Sequence, residues 1–228
     1  MKGLKARKSR DPNNIANELF DPKVAGEDLI DAILKLMNRI KSDLIYPECL
    51  QLCNISSIYK QKGSMNEFSS FRGFFRVQAI RNILELLLYY DEYPKVDSNL
   101  TDCNVGSRKN RNIRDNIFVI QAILNETKNG DKEPIDISVY DVAKCFDSLW
   151  VQECLNDMFD AGIQNDKLNL LHLLCKNAQV AAKTSSGLTE RRDISNIVMQ
   201  GTVWGGIFCT ATMDKLGKFQ YDNPDMLY

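Results

Sequence analysis

The sequence of 228 residues has no apolar run that approaches the length of a membrane span. Its basic N-terminus is not followed by an apolar segment, so we expect no signal peptide and no membrane partner. It has a single histidine, His172, and its seven cysteines include no Cys-x-x-Cys pair. These absences argue against a zinc site and favour reduced thiols in an intracellular protein of the cytoplasm or nucleus.

Charge and composition are those of an ordinary globular chain, large enough for one large domain or two small ones. The net charge of −1 does not indicate a nucleic-acid-binding protein. The basic residues are nevertheless clustered, at residues 1–10, at 108–114 and at Arg191-Arg192. Such clusters attract phosphates when they share one face of the fold, and otherwise they are solvated loops.

Apolar spacing predicts intermixed helices and strands, which indicates an α/β or α+β fold. A long loop at 91–112 and a turn at 128–133 separate these elements. Strands are predicted at 53–60 and 134–139, followed by a hairpin over 179–198. Helices are predicted over 27–44, 80–88, 113–124 and 151–159, from Asn165 through Ala178, and after Gln200, with Gly162 as the C-cap of the fourth.

The segment YDVAKCFDSLW at 140–150 lies between a predicted strand and a predicted helix. It therefore places Asp141 at the end of the strand, with no basic residue before Lys144. A carboxylate in that position suits a hard cation with oxygen ligands. In the alternative interpretation Asp141 only ends the strand, Phe146 belongs to the core and Asp147 caps the next helix.

Segments in a fixed order resemble the reverse transcriptase domain of non-LTR retrotransposons and, more distantly, group II intron reverse transcriptases. The similarity extends over nearly the whole chain. The segments are RKSRDPNNIANELF (7–20), NISSIYKQKG (54–63) with FRGFF (71–75), NVGSRKNRNIRDNIFV (104–119), YDVAKCFDSLW (140–150) and KTSSGLTERRDISNIVMQGTVWGGIFC (183–209).

This resemblance implies a right-hand polymerase arrangement with fingers, an incomplete palm and no thumb. Residues 1–132 would form an N-terminal extension and the fingers, and 133–162 the palm. Residues 163–200 would return to the fingers, and 201–228 would add a palm helix.

The resemblance also implies roles for residues near the reacting groups. Asp141 would be the first catalytic aspartate and would bind Mg²⁺ together with the Val142 carbonyl. Phe146 would pack under the incoming sugar, whereas Asp147 would be a structural cap. Arg72 would meet the triphosphate, because a planar guanidinium binds two oxygens at once.

Two further groups would contact the nucleic acid. Gln200 and Gly201 would lie beside the nascent base pair, where glycine permits close approach of the backbone. Gly205 and Gly206 would serve the same end or allow close helix packing. The template backbone would follow a loop that contains Gly106, Arg108, Lys109 and Arg111.

One departure from the family pattern limits the expected activity. The family needs a hairpin with two adjacent aspartates, and this sequence contains no Asp-Asp dipeptide. Two Mg²⁺ ions cannot be held by one carboxylate. We therefore expect a reverse transcriptase fragment that does not polymerise alone, with an RNA template, a DNA primer and deoxynucleoside triphosphates as partners. The alternatives are a non-catalytic RNA-binding module and a relic without a role; the oligomeric state is not predicted.

Overall fold

The computed structural model describes residues 4, 8–130 and 135–222. Helices and strands are intermixed along this part of the chain, which confirms the mixed α/β class. The strands are β1 (Leu52–Tyr59), β2 (Phe71–Val77), β3 (Asn177–Thr184), β4 (Gly187–Leu188) and β5 (Arg192–Ser195). The helices are α1 (Glu27–Asp43), α2 (Ala79–Asn99), α3 (Ile113–Asn129), α4 (Cys145–Ser148), α5 (Val151–Asp160), α6 (Asn165–Lys176) and α7 (Val203–Asp222), with short 3₁₀ helices at Asn17–Phe20, Glu48–Leu50 and Phe68–Ser70.

The strands form one small mixed sheet. Strand β1 pairs antiparallel with β2 and parallel with β3. Strand β3 in turn pairs antiparallel with both β4 and β5. The predicted hairpin over 179–198 is therefore confirmed, and it is joined to the earlier strand at 53–60 through the parallel pair.

The two faces of the sheet differ because side chains alternate along each strand. One face carries Cys53, Phe75 and Val180, which form a small apolar core with Met199. The opposite face carries Arg72, Phe74 and Lys183, since these residues lie opposite Ile58 and Ser56 of β1. One side of the sheet therefore contributes to a core, and the other presents Arg72 and Lys183 to solvent but buries Asn54 and Ala181.

Five of the helices, α1, α2, α5, α6 and α7, build the main core. Its most deeply buried side chains come from all of these elements, among them Ile40, Val96, Met158, Leu171 and Phe208. The predicted apolar face of α7 is confirmed, because Trp204, Ile207, Phe208 and Ala211 are all buried. Helix packing rather than the sheet provides most of the apolar burial.

The C-terminus of α5 confirms the predicted cap. Gly162 has a φ of +92°, which glycine adopts without strain. Its N–H donates to the carbonyl of Phe159, and the N–H of Ile163 donates to the carbonyl of Met158, both over 2.9 Å. This pair of bonds is a Schellman motif, and the buried Ile163 provides its apolar contact.

The long loop predicted at 91–112 is wrong over its first nine residues. Helix α2 continues to Asn99 through Pro94, because Tyr93 and Val96 extend its buried face. Glu92 is also buried, and Lys95 and Lys167 compensate its charge. The polar composition of this stretch concealed a helix whose acidic side chain is neutralised by its neighbours.

The strand predicted at 134–139 is wrong over 135–139, and residues 131–134 lie outside the described residues together with part of the turn at 128–133. Residues 135–142 have no regular secondary structure and pair with no strand among the described residues. Val139 and Tyr140 are 88% and 89% exposed. Alternating apolar residues form a strand only when a partner accepts their backbone hydrogen bonds.

Three smaller outcomes concern single residues and one helix. Ala178 belongs to β3 and not to the helix before it. Asp147 lies inside the short helix α4, and Trp150 occupies the N-cap of α5, so the predicted cap is wrong. Helix α3 is confirmed, although it has no buried residue.

The described part of the chain contains no helix that is long and apolar enough to cross a membrane.

A buried ion pair connects three of the core helices. Arg81 and Glu85 lie one turn apart on α2, and their side chains are 3% and 1% exposed. The Arg81 guanidinium also donates to the carbonyl of Leu174 in α6 over 2.7 Å. Glu85 accepts the N–H of Val203 over 2.9 Å, at the start of α7, and the Glu85 carbonyl accepts the indole N–H of Trp204.

The substitution Glu85→Gln is expected to destabilise the fold strongly, because it leaves the Arg81 charge buried without its counterion. We expect a loss of about 3–5 kcal/mol in urea unfolding. The matched control is Asp43→Asn, which breaks an Arg–carboxylate pair of the same i,i+4 spacing on the surface of α1. That variant should show no measurable change. Equal effects of the two substitutions would contradict the structural role assigned to the buried pair.

Candidate functional site

Strand β2 and the Gln200-Gly201 segment meet at one edge of the sheet. The N–H of Phe75 donates to the carbonyl of Gln200 over 2.9 Å. Arg72 lies three residues earlier on the same strand and its side chain is exposed. Segments more than 120 positions apart in the sequence are thus neighbours, and the strand that contains Arg72 is joined to Gln200 and Gly201.

Gly201 is required at this junction for two reasons. Its φ of +108° lies in the region that side chains disfavour. A Cβ atom there would lie 2.6 Å from a ring carbon of Phe74. The backbone of Gly201 therefore approaches the aromatic ring more closely than any other residue type would allow.

The N-terminal half of α7 gathers a second predicted segment, the loop that contains Gly106. The hydroxyl of Thr210 donates to the carbonyl of Gly106 over 2.8 Å. A Cβ on Gly206 would lie 3.0 Å from the hydroxyl of Ser107, and one on Gly205 would lie 2.3 Å from the carbonyl of Met199. Of the two interpretations of Gly205 and Gly206, the structure supports close helix packing.

Asp214, which the sequence did not single out, holds the same loop from the middle of α7. Its carboxylate accepts the hydroxyl of Thr101 over 2.6 Å and the side-chain N–H of Asn104 over 3.0 Å. Burial alone would raise the pKa of Asp214, but these hydrogen bonds outweigh it and lower the pKa below the ordinary value. Asp214 is therefore an ionised, structural anchor for the loop.

The Arg108 side chain is buried inside the loop and stabilises it, and it is not presented at the surface. Its side chain is only 4% exposed and pairs with Asp97 over 2.8 Å. The guanidinium also donates to the backbone carbonyls of Thr101, Asn104 and Asp97. Burial acts to raise the pKa of Asp97, but hydrogen bonds from Arg108 and Tyr93 lower it. A phosphate contact by Arg108 would require these bonds to break.

The other basic residues of this loop are more accessible. Lys109 is exposed, and its backbone N–H donates to the hydroxyl of Tyr93. Arg111 pairs with Asp102 over 2.6 Å at the surface, where such a pair contributes little. Both side chains are available to a phosphate backbone.

The segment around Asp141 does not assemble a metal site. Asp141 is exposed in the irregular stretch 135–142, and Val142 beside it is 46% exposed. Among the described residues no group of three or more histidine, cysteine, aspartate or glutamate side chains could hold a metal ion. The residues present therefore do not fit a site for two Mg²⁺ ions.

Phe146 and Cys145 connect this segment to the rest of the fold. Phe146 is half-buried and packs against the main core. The Sγ atom of Cys145 lies 2.8 Å from that of Cys209 in α7. Helix α7 thus contacts the segment that follows Asp141 as well as the loop at Gly106.

Sequence reasoning missed two basic residues on the exposed face of the sheet, Arg76 and Lys183. Arg72, Phe74 and Arg76 alternate along β2, and Lys183 lies opposite Ser56 on the far side of β1. Arg72 and Arg76 are four residues apart in FRGFFRV, so the two-residue period of a strand could have placed Arg76 on the same face. The position of Lys183 depends on the pairing of β1 with β3, which the sequence does not specify.

A scan against models of protein families finds no match, and a search of curated proteins finds no significant match either. Family membership and function are therefore argued below from the residues and the geometry.

Arg108→Ala is expected to lower stability by about 2–3 kcal/mol in urea unfolding, because it removes the donor to three half-buried carbonyls and the ion pair with Asp97. The matched control is Lys109→Ala, at the next residue of the same loop, which should leave stability unchanged. If Arg108→Ala left stability unchanged and weakened RNA binding instead, Arg108 would be a template contact and its structural role would be wrong.

Proposed function

We propose that this chain is the fingers and part of the palm of an RNA-directed DNA polymerase of the non-LTR retrotransposon type. Its template would be RNA, its primer DNA, and its substrates deoxynucleoside triphosphates. On this proposal the chain works inside the cell, in the cytoplasm or nucleus.

One observation carries the proposal, namely the junction of strand β2, which contains Arg72, with the Gln200-Gly201 segment. The family resemblance assigns these residues to one nucleotide site, although they lie far apart in the sequence. The bond between Phe75 and Gln200 and the close approach of Gly201 to Phe74 bring the two segments together. An exposed arginine on the strand that packs against an exposed glycine suits a triphosphate and a base pair.

The contacts of α7 are a second observation that supports the proposal. The segment before α7 contains Gln200 and Gly201, while its first turns contact Gly106 and Cys145. Segments that resemble three separate polymerase motifs thus meet on one helix. That convergence is expected of a shared site and is not required by the main core.

The chain alone is not expected to polymerise. Asp141 is a single exposed carboxylate, and the sequence offers no Asp-Asp pair to complete a site for two Mg²⁺ ions. The role of Asp141 and Val142 as metal ligands belongs to a complete palm, which would pair residues 135–142 with a further hairpin.

A chimera tests this proposal. The missing hairpin and thumb would be supplied from a complete reverse transcriptase, and primer extension would be followed on an RNA template with Mg²⁺. Asp141→Ala is expected to reduce the extension rate at least about 100-fold, because it removes a metal ligand. The matched control is Asp147→Ala, an exposed carboxylate six residues later, which should retain the parental rate.

Either of two results would contradict the proposal. One is an active chimera in which Asp141→Ala extends the primer as fast as the parent. The other is an equal loss of rate in the two variants, which would indicate that the segment tolerates no change of charge and that Asp141 has no special role.

A non-catalytic RNA-binding module is the second candidate function, favoured by the exposed basic face of the sheet. Arg72 and Lys183 lie on that face on either side of β1, with the half-exposed ring of Phe74 next to them. Basic side chains around an aromatic ring suit phosphates and a stacked base. This function would need no metal ion.

For this candidate we expect RNA binding that weakens steeply as salt rises, because phosphate contacts release counterions. The double variant Arg72→Gln/Lys183→Gln should reduce the slope of log affinity against log salt concentration by about 1.5. The measurement is fluorescence anisotropy with a labelled single-stranded RNA over a series of salt concentrations.

The matched control for binding is Arg39→Gln/Lys41→Gln, which removes two exposed charges from α1. It should leave the slope unchanged. A flat salt dependence of the parent, or an equal effect of the two double variants, would reject the basic face as an RNA-binding surface.

A further inference from the structure

Cys145 and Cys209 face each other where α4 meets α7. Their Sγ atoms are 2.8 Å apart, and both residues are half-buried. A disulfide bond is about 2.05 Å long, so the two sulfur atoms need to approach by less than about 1 Å. The two sulfur atoms are thus already in contact where α4 packs on α7.

The surroundings of the two thiols indicate which one reacts first. Burial raises the pKa of the Cys209 thiol to about 12, and the hydrogen bond with Cys145 acts in the same direction. Cys209 is therefore protonated at neutral pH, and the thiolate is the form that attacks a disulfide. Cys145 lies in the one-turn helix α4, directly after an exposed segment, and is the accessible partner.

We infer that Cys145 and Cys209 form a reversible redox site, which glutathione disulfide or another small disulfide oxidises. The Cys145 thiolate attacks the small disulfide and forms a mixed disulfide, which releases one glutathione thiolate. Cys209 then gives its proton to solvent and attacks the Cys145 sulfur, which releases the second glutathione. The protein loses two protons and two electrons, and one glutathione disulfide becomes two glutathione molecules.

The bond would fasten the segment after Asp141 to a rigid helix. Phe208 and Trp204 anchor α7 in the main core, whereas residues 135–144 are exposed and unpaired among the described residues. A cross-link closes a loop of 64 residues, the separation between the two cysteines. This inference goes beyond the proposed polymerase function and does not depend on it.

Peptide mapping of the oxidised chain tests the inference. The full chain would carry Cys49→Ser and Cys103→Ser, because both of these cysteines are exposed and react on their own. After treatment with excess glutathione disulfide, free thiols would be alkylated and the protein cut with trypsin and a glutamate-specific protease. We expect a reducible cross-link between peptides 145–153 and 193–215, since Glu153 separates Cys145 from Cys154.

Two further measurements distinguish the site from accidental oxidation. The oxidised form should melt about 5–10 °C higher than the reduced form, because the cross-link restricts the unfolded chain. In the same background, Cys209→Ser should stop at a mixed disulfide of glutathione with Cys145, and Cys145→Ser should leave Cys209 unmodified. A cross-link to Cys154, no intrachain cross-link, or glutathione on Cys209 of the Cys145→Ser variant would overturn the inference.

Discussion

The ion pair between Arg81 and Glu85 fixes where α7 begins. Both charged side chains are buried, so each requires the other as its counterion. Both also form hydrogen bonds with neighbouring helices. Because Glu85 accepts the N–H of Val203 and the indole N–H of Trp204 donates to the Glu85 carbonyl, the first turn of α7 has one position relative to α2. Gln200 and Gly201 lie immediately before that turn. The junction of these two residues with β2 therefore depends on a charge pair that never reaches the surface.

Further hydrogen bonds of α7 explain why the polar loop beside it has a defined structure. Asp214 and Thr210 hold the loop that precedes α3, and Arg108 closes the loop upon itself. Two of the arginines in this protein, Arg81 and Arg108, are thus structural, whereas Arg72 and Lys183 stand on the exposed face of the sheet. Arginine thus stabilises the fold where its side chain is buried and is available to a ligand where its side chain is exposed.

The two parts of the candidate site for the proposed polymerase function differ in whether they are assembled. The part at Arg72, Gln200 and Gly201 is assembled by backbone hydrogen bonding and a close glycine contact. The part at Asp141 is not assembled, and the apolar side chains of residues 135–142 around it remain exposed, as Val139 does. An apolar surface of this kind is characteristic of a binding interface. A sheet that paired with residues 135–142 would satisfy their backbone groups and cover part of that surface.

Local patterns in the sequence determined most of the secondary structure. Apolar residues at helical spacing predicted α1, α5 and α7, and the glycine after α5 predicted its Schellman motif, because these features depend on neighbours a few residues apart. Only the tertiary structure decided what depends on distant partners. It extended α2 past Pro94, since Lys167 neutralises Glu92. Residues 135–139 form no strand in it, since no described strand pairs with them. It buried Arg108 and exposed Lys109, which the sequence presents as equivalent charges, because only folding places Asp97 and three carbonyls around one of them.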